Sequence, residues 1–166
     1  MQPYAYGYNG DILEGVLAER LIYRKLTIAT AESCTGGLIG KRLTDVAGSS
    51  RYFLGSITAY SNKLKTDLLG VSENTIEKYG AVSEEVALKM AEGVQNNTHA
   101  DIGVSTTGIS GPGGGSEKKP IGLVYIAVVT PDISKVKKYI FRVKRKIHRE
   151  ITTTAALNIT RLALEV

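Results

Sequence analysis

An apolar, β-branched run, Leu26-Thr-Ile-Ala-Thr30, ends in Ala-Glu-Ser-Cys-Thr-Gly-Gly37, and a helical pattern with Leu38, Ile39, Leu43 and Val46 on one face begins at once. Strand, small-residue turn and helix is the unit with which α/β folds present backbone N–H groups to a ligand. Thr35, Gly36 and Gly37 are expected at the helix N-terminus, where the first N–H groups lack intrahelical partners and the dipole favours an anion. Ser33 and Cys34 are expected on the exposed lip of the turn. A capped tight turn without a ligand fits the same residues.

The rest of the chain repeats the alternation. Tyr4 to Gly10 reads as an irregular arm, and Asp11 as the N-cap of an amphipathic helix carrying Ile12, Val16, Leu17, Leu21 and Ile22. Gly48 is expected to close the helix after the first turn, and Tyr52 to Tyr60 reads as a second strand. Ser61-Asn62 starts a short helix that Gly70 stops, Ser72-x-x-Thr75 starts another that ends at Gly80, and Ser83-Glu-Glu opens a longer one. Ala100 to Thr107 is a third strand, followed by the loop Gly108-Ile-Ser-Gly-Pro-Gly-Gly-Gly115. Gly122 to Thr130 is near-continuously apolar, as a strand covered on both faces would be. Lys135 to Val143 alternates basic and apolar residues like an edge strand, and a last helix starts near Arg145.

Five strands interleaved with helices predict one α/β domain over residues 1–166: a three-layer α/β/α sandwich whose mixed, mostly parallel sheet ends in an antiparallel hairpin. Ligands in such folds bind beyond the carboxyl ends of strands, so the loops after Ala31 and Thr107 are expected to share one cleft.

Composition narrows the chemistry. The single cysteine excludes an internal disulfide and a multi-cysteine metal site, and His99 and His148 lack ligand-like spacing, so no metal is expected. Neither histidine has a recognisable catalytic partner. The chain has no basic-then-apolar leader and no apolar run of bilayer length, from which a cytoplasmic location is expected. The net charge of +5 is concentrated at Lys135, Lys137, Lys138, Arg142, Lys144, Arg145, Lys146 and Arg149. Such a strip suits an anionic partner, from one phosphate to a nucleic acid, or simply a solvated edge. Only Tyr139 and Phe141 interleave with it as stacking platforms, which weighs against nucleic acid.

Gly48-Ser-Ser50 followed by Tyr60-Ser-Asn-x-x-Lys65 offers a hydroxyl nucleophile and an amine base, a pairing that Ser-Lys hydrolases use. The lysine must then be neutral, and moving its pKa from ~10.4 to near 7 costs about 4–5 kcal/mol. Tyr60 could orient the lysine or relay a proton. The glycine loops match neither G-x-G-x-x-G nor G-x-x-x-x-G-K-[ST], which argues against a Rossmann site or a P-loop. Arg145 and Arg149, one helical turn apart, could clamp a phosphate.

Together, Thr30-Ala-Glu-Ser-Cys-Thr-Gly-Gly37, Ala47-Gly-Ser-Ser50, Tyr60-Ser-Asn62 with Lys65, Gly70-Val71, Tyr79-Gly-Ala-Val-Ser83, Thr107-Gly-Ile-Ser-Gly-Pro112 and Lys119-Pro-x-Gly122 resemble the CinA C-terminal (PncC-type) domain family. The resemblance runs from about Asp11 to the C-terminus and implies the form without the extra N-terminal domain of longer relatives. It implies an amidohydrolase that converts nicotinamide mononucleotide to nicotinate mononucleotide and ammonia by a Ser-Lys mechanism without metal or organic cofactor. Carried onto this chain, Ser50 is the expected nucleophile, Lys65 its base and Tyr60 an assistant. Ser33 orients groups or supports the oxyanion, and is the competing nucleophile. Thr107 and Gly108 would contact the substrate. Edge strands and family habit imply a homo-oligomer. The chain departs from the family at Val143-Lys144, where Gly-Asp is common, while Arg145 is retained. A nucleotide-binding module without catalysis, and a nucleic-acid-binding protein, stay open as alternatives.

Overall fold

The computed structural model describes residues 10–165; the expected Tyr4–Gly10 arm lies outside the described residues except for Gly10. The chain runs α1 (Leu13–Arg24), β1 (Ile28–Glu32), α2 (Leu38–Thr44), a 3-10 turn (Ser49–Arg51), β2 (Phe53–Thr58), α3 (Asn62–Leu69), α4 (Glu73–Tyr79), α5 (Glu84–Thr98), β3 (Ile102–Gly108), β4 (Leu123–Val129), β5 (Ser134–Ile140) and α6 (Arg145–Ala163). Ser61, Ser72 and Ser83 each cap the following helix by accepting from the N–H three residues on. These hydroxyls satisfy donors that a helix start leaves free. Asp11 does not cap α1; Ile12 holds that position without a side-chain bond. Gly48 closes nothing on α2, whose C-cap is Asp45, and instead enters the 3-10 turn.

The strands form one sheet in the order β2-β1-β3-β4-β5. The β1–β2 and β1–β3 ladders are parallel, whereas β3–β4 and β4–β5 are antiparallel. Only β4 runs against the other four strands, so the sheet is mixed and mostly parallel in strand direction, as expected, and it ends in the β3-β4-β5 meander. α/β architecture, five strands and the edge position of basic β5 agree with the sequence reading.

Two faces follow from the two-residue period of a strand. Ile28, Ile102, Val104, Val124, Ile126 and Val128 pack with Leu17, Leu21, Ile39, Leu43 and Leu157, placing α1, α2 and α6 on one side. Ala29 and Ala31 face Leu69, Val71, Val86, Met90 and Val94, placing α3 and α5 on the other. That second face is built from small residues so that α5 can approach: a Cβ on Gly103 would stand 2.1 Å from the Ala91 carbonyl oxygen. Each of these fully buried Leu, Ile and Met side chains contributes about 1.5–3 kcal/mol of transfer free energy.

The loop leaving β1 turns to the α2 face, and the loop leaving β2 turns to the α3 face. Adjacent parallel strands whose exits diverge leave a crevice at their carboxyl ends. Ser33 follows β1 and Tyr60 follows β2, so both stand at that crevice. Among the described residues no helix is long and apolar enough to cross a membrane.

Candidate active site

The crevice encloses about 200 Å³ and is lined by Ser33, Cys34, Tyr60, Asn62, Lys65, Ala81, Val82, Thr107, Gly108, Ser110 and Arg145. Both loops at the strand ends border it, the first through Ser33 and Cys34 and the second through Gly108 and Ser110.

Lys65 sits in the first turn of α3, yet it is only 2% exposed. Its Nζ donates to the main-chain carbonyls of Ala59 at 3.0 Å and Tyr60 at 3.3 Å, and lies 3.3 Å from Ser33 Oγ. Burial pushes the lysine below its ordinary range, against a smaller opposing influence of Cys34. As an ammonium, Nζ donates to all three oxygens; in its neutral form two N–H bonds would go to the carbonyls and the lone pair would face the Ser33 hydroxyl. Ser33 is 8% exposed, and its own N–H donates to the Thr106 carbonyl at 3.0 Å, which fixes the residue against β3.

Cys34, the next residue, is buried rather than on an exposed lip. Burial pushes its thiol up to about 12, so at neutral pH it stays protonated and a poor nucleophile. Ser33 is also buried, because β1 extends through Glu32 and carries the turn into the sheet's end.

Ser50 is not brought to this place. It is exposed in the 3-10 turn that precedes β2, at the amino end of a strand whose carboxyl end feeds Lys65. The intervening six-residue strand spans about 20 Å at ~3.3 Å per residue, so the Ser50–Lys65 pair is corrected to Ser33–Lys65.

Tyr60 is 59% exposed, and its phenol accepts a hydrogen bond from Arg145 at 2.8 Å. It orients Lys65 through its main-chain carbonyl, while its hydroxyl belongs to the Arg145 side of the cavity; a proton relay through the phenol finds no support here. Thr107 donates to the Ala81 carbonyl at 2.7 Å and thereby ties the β3 end to the loop before α5.

The anion expected at the α2 N-terminus is internal. The buried Glu32 carboxylate accepts from the N–H groups of Gly37 at 2.9 Å, Ile39 at 3.1 Å and Gly40 at 2.9 Å, and from Ser56 Oγ at 3.2 Å. Gly37 turns these groups onto Glu32 with φ +93°, a conformation that strains other residues. Thr35 is buried with its hydroxyl 2.8 Å from that of Thr106. Thr35, Gly36 and Gly37 therefore build the turn; none of them lines the cavity.

The two arginines divide. Arg145 lines the cavity and also donates to the Gly111 carbonyl at 3.1 Å. Arg149 clamps the Thr35 carbonyl through Nε at 3.2 Å and Nη2 at 2.7 Å, which fastens α6 to the turn. A second groove of about 740 Å³ adjoins the cavity, sharing Ser110 and Arg145, and adds Gly111, Pro112, Ile121, Arg142, Val143 and Lys144. Lys144 is the N-cap of α6 and offers no side-chain acceptor, so the helix start adds positive potential there.

His148, left without a partner in the sequence reading, lies 3.0 Å from Ser110 Oγ through Nδ1 and 3.1 Å from the Gly122 carbonyl through Nε2. Their separation along the chain hid the pair. Among the described residues no three His, Cys, Asp or Glu side chains are grouped to hold a metal.

Comparison with known proteins places this geometry in context. The model of the CinA C-terminal domain matches residues 11–164. A CinA-like protein of Desulfotalea psychrophila is 49% identical over 158 residues, covering 95% of this chain and 38% of that protein. A putative competence-damage inducible protein of Clostridium tetani is 50% identical over 156 residues, covering 94% and 38%. The chain thus spans about two fifths of the length of these relatives. Among solved structures, the competence/damage inducible protein CihA of Agrobacterium tumefaciens superposes with a TM-score of 0.83 at 38% identity, covering 96% of this chain and 100% of that one. A CinA superfamily protein of Escherichia coli gives 0.86 at 27% identity, covering 99% and 98%.

Proposed function

This chain belongs to the CinA C-terminal domain family, and from that premise we propose that it hydrolyses the carboxamide of nicotinamide mononucleotide to nicotinate mononucleotide and ammonia. One observation carries the reading: a buried lysine, held by two carbonyls, with Ser33 Oγ at 3.3 Å on a cavity wall. A nucleophile beside an oriented base is the arrangement that activates a hydroxyl.

In this mechanism Ser33 Oγ attacks the carboxamide carbon while its proton passes to Lys65 Nζ. The tetrahedral intermediate collapses as the Lys65 ammonium returns that proton to the departing nitrogen, and ammonia leaves. Water then attacks the acyl ester as Lys65 takes its proton; the ester C–O bond breaks, the Lys65 ammonium returns that proton to Ser33 Oγ, and the acid product leaves. The Ser33 N–H is engaged by Thr106, so oxyanion stabilisation falls to other groups on the wall, of which Asn62 and Arg145 carry side-chain donors. The pyridinium makes the carboxamide a better electrophile, and its positive charge disfavours protonation of Lys65. The ribose phosphate extends into the adjoining groove, where Arg142, Lys144 and Arg145 supply positive charge. Arg149 holds the turn rather than the phosphate.

Purified protein is expected to release ammonia from nicotinamide mononucleotide equally with and without EDTA; binding without release would favour the non-catalytic module. The pH profile is a second check. The active form is the neutral amine, and burial lowers the lysine from its ordinary 10.5. Thus kcat/KM should climb as pH rises and level off at a midpoint below that value. A limb appearing only above it would remove Lys65 as the base. Ser50→Ala should leave kcat/KM within about twofold, as expected for an exposed side chain remote from the chemistry.

A further inference from the structure

Ser110 is 5% exposed and lies where the Ser33–Lys65 cavity meets the basic groove. Its hydroxyl contacts His148 Nδ1, and the opposite ring nitrogen contacts the Gly122 carbonyl. A carbonyl oxygen can only accept, so Nε2 carries the hydrogen. In the neutral ring Nδ1 is then an acceptor, and the single Ser110 hydrogen must point at it. Burial favours the neutral ring, and the nearby Arg145 charge acts the same way, opposed by the Gly122 carbonyl. Phe141, edge-on at 6.1 Å between ring centroids, packs beside the imidazole. With its hydrogen turned to His148, the Ser110 oxygen has only lone pairs left to offer.

We infer that Ser110 is a specificity residue that reads the amide: it accepts a hydrogen bond from the carboxamide –NH2 and opposes a carboxylate in the same place. The inference rests on the amide hydrolysis proposed above and adds a substrate-over-product preference to it. A carboxylate brings only lone pairs, so the contact that holds the substrate becomes a repulsion in the product. Ammonia release then weakens the hold on what remains, and product departure follows from the same serine.

The test measures equilibrium affinities of nicotinamide mononucleotide and nicotinate mononucleotide for the Ser33→Ala protein, with and without Ser110→Ala, by titration calorimetry. The amide-to-acid preference should drop by about tenfold or more when Ser110 is removed, the scale of one hydrogen bond to a buried acceptor. Ser110→Thr, which keeps the hydroxyl, should retain it. If Ser110→Ala does not fold, Ser110→Cys fills the site with a weak acceptor and should show the same loss. A preference unchanged within about twofold overturns the inference, as does an acid preference in the parent protein. Ammonia release by the wild type is scored separately, so failure of the amidase and failure of this contact are told apart.

Discussion

On the proposed mechanism, Lys65→Met is expected to give a folded protein whose ammonia release from nicotinamide mononucleotide falls by about 10³-fold or more. The magnitude follows from removing one half of a nucleophile–base unit, in which the loss of either member removes most of the rate enhancement. The fold should survive because methionine fills the aliphatic track of a side chain that is 2% exposed. Deleting the amine leaves the Ala59 and Tyr60 carbonyls short of a donor, but it also removes the cost of burying an ionisable group, and the two offset. Circular dichroism and the denaturant midpoint should stay close to wild type while steady-state turnover disappears. Lys65→Arg should be as inactive, since a guanidinium does not deprotonate near neutral pH. Full turnover in a folded Lys65→Met protein would eliminate the mechanism.

Glu32→Ala should be the most destabilising single change near the site, by about 3–5 kcal/mol in denaturant unfolding. Its carboxylate is fully buried and accepts three main-chain N–H groups at the start of α2. Removing it orphans those donors at about 1–3 kcal/mol for each buried one, and withdraws a negative charge from the helix N-terminus. Against a typical domain stability of about 5–15 kcal/mol, this is a large share. Glu32→Gln keeps the shape but sets an –NH2 against at least one N–H, so an intermediate loss is expected. Turnover of Glu32→Gln should fall as well, because Ser33 is the next residue and takes its direction from the same turn. A midpoint within about 0.5 kcal/mol of wild type for Glu32→Ala would show that the turn holds without its internal anion.

The sequence reading reached the helix starts at Ser61, Ser72 and Ser83 because a hydroxyl cap is a local device, visible in a few residues. It reached the shared cleft because strand ends feeding glycine loops mark a ligand site in α/β folds, and it singled out Lys65 as an amine that could pair with a serine. What it missed was long-range. Ser50 is near Lys65 along the chain but lies at the other end of β2, whereas Ser33, 32 residues from Lys65, reaches it because parallel β1 and β2 end side by side. Glu32 reads in the sequence as one acidic residue in a polar turn, and only the fold shows it satisfying the N–H groups once expected for a ligand. Arg145 and Arg149 share a helical spacing, yet one turn of α6 separates the cavity from the underside of the Thr35 loop. Ser110 and His148 are joined only when the β3–β4 loop folds against α6.

The most direct measurement compares ammonia release from nicotinamide mononucleotide by wild type, Ser33→Ala and Ser50→Ala under one set of conditions. Attack by Ser33 requires that Ser33→Ala lose turnover by about 10³-fold or more while Ser50→Ala keeps it. Loss confined to Ser50→Ala, or release that persists in Ser33→Ala, would contradict it.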